Sequence, residues 1–273
     1  MPKVSVLMSV YNSNINLLDR ALLGIERQTF KDFEVVLVND DPQNKKLKEY
    51  LKKKSENVNF KLRILENEIN SGLIYSLNKG LKLCEGEFIA RADDDDFSYR
   101  ERLAKQVEYL ERNPKIAAVG TWVKIVNNNN ESNTIRRYPV LKDIPKIIPI
   151  RCPIQHSFLM VRKGVIISNG GYEYEYPLAE DYALFLKLRV LGYELDNIQE
   201  VLGEYKFTIL DANKRSSICR KSVLKAKWKF FKKDEPFQSL KGLIFASLWW
   251  IIPQDIVNHI YSKEINKSII FSK

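Results

Sequence analysis

A chain of 273 residues is long enough for one large α/β domain or two small ones, and 45% hydrophobic with 29% charged residues excludes an intrinsically disordered chain. The formal charge of +10 is concentrated in Lys214 to Lys233, nine basic residues without an acid, a run that can face nucleic acid, an anionic membrane or an anionic substrate. Cys84, Cys152 and Cys219 are too few and too far apart for a disulfide framework or a cysteine-rich metal site.

Val4 to Val10 (VSVLMSV) predicts a strand, and a strand here in place of a charged leader and cleavage site leads to the expectation of a cytosolic protein. Asn12 to Asn14 predicts a turn and cap, and Ile15 to Gln28 a helix with Leu18, Leu22 and Ile25 on one face. Phe33 to Val38 (FEVVLV) is a second apolar run of the kind a strand buried on both faces requires, ending at Asn39-Asp40-Asp41-Pro42. The alternation continues with a helix over Gln43 to Lys54, a strand over Phe60 to Leu65, a helix over Gly72 to Leu83 and a strand over Glu87 to Ala92. Ser98 to Glu111 predicts a helix opened by a Ser98/Glu101 capping box, and Ile116 to Gly120 a further strand. Short strands separated by helices imply βαβ units on a mostly parallel sheet, with ligands at the carboxyl ends of the strands. Asn39, Asp40, Asp93 and Asp95 all fall at such ends.

Beyond Gly120 the rhythm changes. Asn127 to Asn130 predicts a polar turn, Tyr138 to Pro153 a proline-rich irregular segment, Gln155 to Val161 a strand and Gly170-Gly171 a turn. A helix over Asp181 to Leu191 and an extended stretch over Tyr193 to Ile198 follow. This half reads as an insertion and lid on the same core. Near the end, Gly242 to Pro253 (GLIFASLWWIIP) is about half of the roughly 20 residues a membrane-spanning helix needs. It is either an interfacial helix beside the basic run or a tail helix packed on the domain or on a partner subunit.

Asp93-Asp94-Asp95-Asp96 directly follows the strand ending at Ala92. Adjacent carboxylates repel one another unless cations neutralise them, and acids at i and i+2 can both face one hard divalent ion bridging to a diphosphate. The alternative is a solvated acidic turn, which the preceding buried strand disfavours. Asp40 can accept from a base N–H or a ribose hydroxyl, or simply form a turn. Glu180 and Asp181 open a helix, where a carboxylate either caps or serves as a general base. His156, one of two histidines, is either a satisfied buried residue or a contact to acceptor or phosphate. No dinucleotide-type glycine fingerprint and no Walker A run occurs, which argues against dehydrogenases and P-loop enzymes.

In order, VSVLMSVYN, QTFKDFEVVLVNDD, NSGLIYSLNKGL, GEFIARADDDDFSYRERLAKQ and AEDYALFLKL resemble the successive motifs of the family 2 glycosyltransferases of GT-A fold over about residues 3 to 205. The resemblance implies an α/β, Rossmann-like, mostly parallel sheet flanked by helices. It divides the chain into a glycosyltransferase domain over 1–205 (nucleotide-sugar half 1–120, acceptor-side half 121–205) and a basic, amphipathic helical extension over 206–273. It also implies inverting transfer from a nucleotide diphosphate sugar, with Mn²⁺ or Mg²⁺ as cofactor. On that pattern Ser9, Tyr11 and Asn12 line the nucleotide pocket, Asp40 contacts the base, usually uracil, and Asn70, Gly72 and Asn78 lie beside the nucleotide. Arg91, Asp93 and Asp94 belong to the donor site, Asp93 and Asp95 to the metal, and Asp181 is the base. Asp96, His156 and Glu180 fall on the acceptor side.

Three departures stand out: Asn39 where the family usually has an acid, Asp94 where the DADD pattern has alanine, and no histidine in Tyr205 to Ser217 to contact the metal, so that the ion depends more on Asp95, the diphosphate and water, or on Asn213 as a weak substitute. The expected partners are a nucleotide-sugar donor and a glycan or lipid-linked acceptor, with peripheral membrane contact through 214–253 and a homo-oligomer both open. Nucleic acid is not expected, since the basic run carries no reading motif. The competing function is a nucleotide-sugar-binding protein of the same fold without transfer.

Overall fold

The computed structural model describes residues 1–126, 134–207 and 216–253 together with Ile256. The expectations for Asn127 to Asn130, Asn213, Lys214 and Arg215 lie outside these residues.

The chain runs β1 (Val4–Val10), α1 (Ile15–Glu26), β2 (Phe33–Asn39), α2 (Lys45–Asn57), β3 (Lys61–Glu66), α3 (Leu73–Leu81), β4 (Phe88–Ala92), β5 (Phe97–Ser98) and α4 (Arg102–Arg112). It continues through β6 (Ile116–Val126), β7 (Thr134–Arg136), α5 (Ile144–Ile147), a 3₁₀ turn at His156–Phe158, β8 (Met160–Arg162), α6 (Lys163–Ser168), α7 (Glu180–Val190) and β9 (Glu194–Lys206). Two helices, α8 (Ser217–Lys229) and α9 (Pro236–Ile251), close the described chain.

Among the described residues the strands form one nine-stranded sheet in the order β3-β2-β1-β4-β8-β6-β9-β5, with β7 paired to β6. The sheet is parallel across its first half, as expected, and mixed beyond it. β1 pairs parallel with β2 and β4, and β2 with β3, but β4 and β6 both pair antiparallel with β8. Beyond that point β6 and β9 are parallel, while β5–β9 and β6–β7 are antiparallel.

Helices cover both faces, which is why β1, β2 and β4 read as unbroken apolar runs. Val4, Val6, Met8, Val35, Leu37, Phe88 and Ala90 pack on one face with Leu22, Leu47 and Val107 of α1, α2 and α4. Leu7, Val36 and Ile89 pack on the other with Leu77, Ile166 and Phe185 of α3, α6 and α7. Because side chains alternate along a strand, Arg91 shares the Ile89 face, the side on which α7 lies. That parity aims the end of β4 at Glu180 and Asp181.

Two local expectations change. Ser98 pairs with Gly203 in β5 and its hydroxyl accepts from Arg102 Nη1 at 3.0 Å, so no capping box opens α4. Residues Gln155 to Val161 are not one strand: His156–Phe158 turn, and β8 is confined to Met160–Arg162.

Candidate active site

The sheet order reverses at β1, between β2 and β4, and open α/β sheets bind ligands beyond the carboxyl ends of the strands at such a reversal. The loop after β1 ties the ends of β2 and β4 together. Asn12, in the left-handed region at φ 50, donates its N–H to Asp41 Oδ2 at 3.2 Å, and Ser13 Oγ donates to Asp94 on the opposite side. Ser9 is half-buried below the loop, and Tyr11 stands exposed at its tip.

Asp40 is buried, with both carboxylate oxygens engaged. Oδ1 accepts from Ser71 N at 2.8 Å and Asn67 Nδ2 at 2.6 Å, and Oδ2 accepts from Gly72 N at 2.8 Å. Asp40 therefore holds the loop of Asn70 and Gly72 against β2, and Gly72 meets it at φ +85, a conformation a side chain would strain. Asn70 Oδ1 accepts from the same Gly72 N–H at 3.2 Å. Asn39 Oδ1 accepts from Asp41 N at 3.0 Å, while its fully buried Nδ2 has no partner.

At the end of β4, Arg91 is 2% exposed and its guanidinium donates to Asp93 and to the Ala92 carbonyl. Burial works against its charge, but Asp93, Tyr172 and Glu180 more than offset that and raise its pKa. Asp93, Asp94 and Asp95 are half-buried. Burial pushes the Asp94 carboxyl upward, with Asp93 adding to the effect. Asp96, expected on the acceptor side, is 5% exposed and accepts from Lys206 N at 2.8 Å, pinning the acidic loop to β9. Burial and then the charges of Asp95 and Asp93 hold its carboxyl well above the ordinary range, and its Oδ2 is buried without a partner.

Glu180 and Asp181 occupy the first turn of α7, where the helix dipole favours anions. Asp181 Oδ1 accepts from Tyr182 N at 2.6 Å and Oδ2 from the Cys152 thiol at 3.6 Å. Glu180 is buried; desolvation first, then Asp181 and Asp93, push its carboxyl up to about 7 against the pull of Arg91. His156 Nε2 lies 2.8 Å from Tyr172 Oη, and desolvation together with Arg91 lowers the imidazole to about 4, opposed by Asp181 and Asp93. Arg91, Asp93, His156, Tyr172, Glu180 and Asp181 thus act on one another as a single electrostatic neighbourhood.

Asn78, on α3, bonds the backbone of the acceptor-side half. Its amide donates to Tyr172 O at 2.8 Å and accepts from Tyr172 N at 2.9 Å, clasping α3 to the Gly171-Tyr172 turn.

Several residues that matter here carry no sequence signal singled out above. Arg102, 2% exposed, donates to Arg91 O at 2.7 Å and Gln106 Oε1 at 3.1 Å and lies over the Phe158 ring. Gln106 donates to Phe158 O at 2.9 Å, so the pair fills the polar gap where β4 and β8 part. Their common four-residue phase with buried Leu110 is the one hint the sequence holds. Tyr172 and Cys152 become visible only when the acceptor-side segment is folded.

As a seat for a divalent ion, the acidic loop offers mutually repelling carboxylates and the orphaned Asp96 Oδ2. Among the described residues no three His, Cys, Asp or Glu side chains form a cage by themselves. Asp93 is already neutralised in part by Arg91. The residues fit a hard cation shared between one or two carboxylates and a bound diphosphate, the usual mode for Mg²⁺.

Comparison with known proteins agrees with this architecture. The sequence profile described as glycosyl transferase family 2 matches residues 5–168. A UDP-Gal:alpha-D-GlcNAc-diphosphoundecaprenol beta-1,3-galactosyltransferase of Escherichia coli is 31% identical over 97% of this chain and 98% of its own length. The amylovoran biosynthesis glycosyltransferase AmsE of Erwinia amylovora is 29% identical over 95% and 98%. In fold, the chain is similar to the mannosyltransferase PcManGT from Pyrobaculum calidifontis in complex with GDP-Man and Mn²⁺, with a TM-score of 0.68 at 18% identity, covering 97% of this chain and 81% of that one. It is also similar to S. aureus TarS 1–349 in complex with UDP, with a TM-score of 0.64 at 20% identity over 89% and 70%. With a matched profile spanning more than half its length on a GT-A-like fold, the chain belongs to the family 2 glycosyltransferases and is related to enzymes of bacterial surface-polysaccharide synthesis.

Proposed function

We propose that this glycosyltransferase moves a hexose or N-acetylhexosamine from a UDP-linked donor, with inversion, onto a lipid-linked glycan at the inner face of the plasma membrane, with Asp181 as the general base. The observation that carries the reading is the meeting of Asp181 and Glu180 with Arg91 and Asp93 at the end of β4. The choice of a UDP donor and a diphosphate-lipid acceptor is supported by the names of similar enzymes, one of which uses UDP-Gal and a diphosphoundecaprenol acceptor.

In this reading the nucleotide lies between the loop after β1 and the Asn70–Gly72 loop, which Asp40 holds in place. Asp95, with Asp93 beside it, faces the diphosphate. The metal, when bound there, supplies positive charge to the departing diphosphate. Arg91 keeps Asp93 oriented. Asp181 takes the proton of the acceptor hydroxyl; that oxygen bonds to the anomeric carbon as the bond from this carbon to the diphosphate oxygen breaks and its electron pair leaves with the nucleotide. One base suffices, because the leaving group needs charge neutralisation rather than a proton. The first turn of α7 positions the Asp181 carboxylate.

The test uses Asp181→Asn. UDP binding in the presence of Mn²⁺ should be retained while transfer falls by about 10²–10⁴, and chelation should abolish transfer by the parent protein. Transfer by Asp181→Asn at the parent rate would remove Asp181 from the mechanism.

A further inference from the structure

The C-terminal helix α9 is built inside out. Its inward face consists of Ser239, Gly242, Leu243 and Ala246, whereas Phe237, Leu240, Ile244, Phe245, Leu248 and Ile251 point outward. These six follow the i, i+3, i+4, i+7 rhythm of a single helix face, and Phe237 and Ile251 are 85% and 74% exposed. A contiguous strip of large apolar side chains is rarely left exposed on a soluble monomer, yet here Leu243 is the one large apolar residue of the inward face.

The inversion is fixed by how α9 is seated. Gly242 packs so closely on Pro149 that a Cβ there would meet the Pro149 carbonyl at 2.6 Å. Buried Lys227 of α8 donates to Gly242 O at 3.2 Å, Arg189 of α7 pairs with Glu235, and Arg220 of α8 donates to the carbonyls of Trp249 and Ile252. The small-residue face cannot roll outward without breaking these contacts.

We propose that the exposed face of α9 lies in the headgroup and acyl boundary of an anionic phospholipid bilayer; this deepens the lipid-linked acceptor reading above and takes its purpose from it. Three observations favour lipid as the occupant. Neither α8 nor α9 contains an acid, and Lys221, Lys225 and Lys229 are exposed at four-residue spacing along α8, with Lys241 bordering the apolar strip. A second copy meeting this face through these two helices would offer no acid to pair with Lys241, whereas an anionic leaflet attracts it. No helix of the described residues is long and apolar enough to cross a membrane, and an apolar face with a basic surround suits lying on one.

The seating also brings the bilayer to the reaction. Pro149 adjoins Ile148, whose carbonyl accepts from Tyr182 Oη, and Tyr182 follows Asp181 on α7. The Cys219 thiol of α8 donates to the carbonyl of Leu178, which precedes the same helix in the left-handed region at φ 63. The proposed membrane face is therefore braced against both segments that flank the base.

The experiment is vesicle flotation of the full chain, with Ile244→Asp/Leu248→Asp and Lys221→Ser/Lys225→Ser/Lys229→Ser beside it, and transfer to a water-soluble short-chain acceptor measured in parallel. The parent should float with phosphatidylglycerol-containing vesicles and not with pure phosphatidylcholine. The apolar variant should lose about tenfold or more in partition, and the lysine variant about fivefold for each lysine that reaches the leaflet, both with transfer to the soluble acceptor unchanged. Failure of the parent to float at low salt, or flotation of the apolar variant like the parent, overturns the proposal. So does a solution dimer that the apolar variant dissociates. Flotation without transfer to any acceptor supports the docking and counts only against the proposed function.

Discussion

Gly170 and Gly171 are neighbours in the same turn, both in the left-handed region at φ +79 and +69, and differ in what a side chain would meet. A Cβ on Gly170 has nothing within 4 Å, whereas one on Gly171 would stand 2.5 Å from Asn78 Oδ1, the acceptor in the clasp on Tyr172. Gly170→Ala should therefore cost only the left-handed strain, about 1 kcal/mol. Gly171→Ala carries the same strain and also displaces the Asn78 amide, with its two bonds to the Tyr172 backbone. At about 1 kcal/mol each, that brings its total to about 3 kcal/mol. Asn78→Ala alone should cost about 2 kcal/mol for the same two bonds, and in that background Gly171→Ala should fall to the Gly170→Ala value of about 1 kcal/mol. Urea unfolding of the four variants measures the cycle. The clasp is refuted if Gly171→Ala costs no more than Gly170→Ala, or if its excess persists without Asn78. Because Tyr172 Oη bonds His156, the same cycle read in transfer rate reports whether the clasp also holds the site.

Two further predictions follow from buried titratable groups, both measured by urea unfolding with a chelator present. Glu180, held at about 7, keeps a proton in the folded state that the unfolded chain releases above about 4.5, so stability should fall as pH rises between these values. Glu180→Gln should then gain on the parent at pH 8 by up to about 3 kcal/mol and match it at pH 4; a pH-independent difference would contradict the assignment. His156, lowered to about 4, has the opposite sign: the unfolded chain binds a proton below about 6.5 that the folded chain refuses, so stability should rise with pH between 4 and 6.5. His156→Gln should flatten that acid limb, and an unchanged slope would show that the ring is already charged in the folded protein.

The first half of the fold was legible because its strands are covered on both faces, which forces runs such as VSVLMSV and FEVVLV. The placement of Asp93 followed from the same logic, since a polar cluster that ends a buried strand must emerge at the sheet's edge. The second half was less legible because its strands pair irregularly and in mixed directions. β6 and β9 shift register between Ile116 and Ala118 and again near Trp122, so strict alternation is lost. α7 gave no amphipathic pattern because it lies between the sheet on one side and α8 on the other, burying Tyr182, Leu184, Phe185 and Leu188 around most of its circumference. Ser98 satisfied the pattern of a capping box, but pairing with Gly203 placed it in a strand. α9 was recognisable as a short apolar run, whereas its inverted facing depends on Gly242 meeting Pro149, a contact between residues almost a hundred positions apart.

The mixed sheet is what turns these parts into one site. In a wholly parallel sheet the strand beside β4 would enter from the opposite end, and its connecting loop would lie away from the acidic cluster. Because β8 runs antiparallel, with Ala90 opposite Met160, its entry lies beside the exit of β4, and Arg91 N donates to Leu159 O at 2.8 Å. The His156–Phe158 turn is thereby delivered next to Asp93, and the polar gap where the two strands part is filled by Arg102 and Gln106. A charged residue buried so deeply would be costly if its only task were packing. Its guanidinium instead holds the Arg91 carbonyl in place while Arg91 holds Asp93, so the donor-side acid is oriented from within the core.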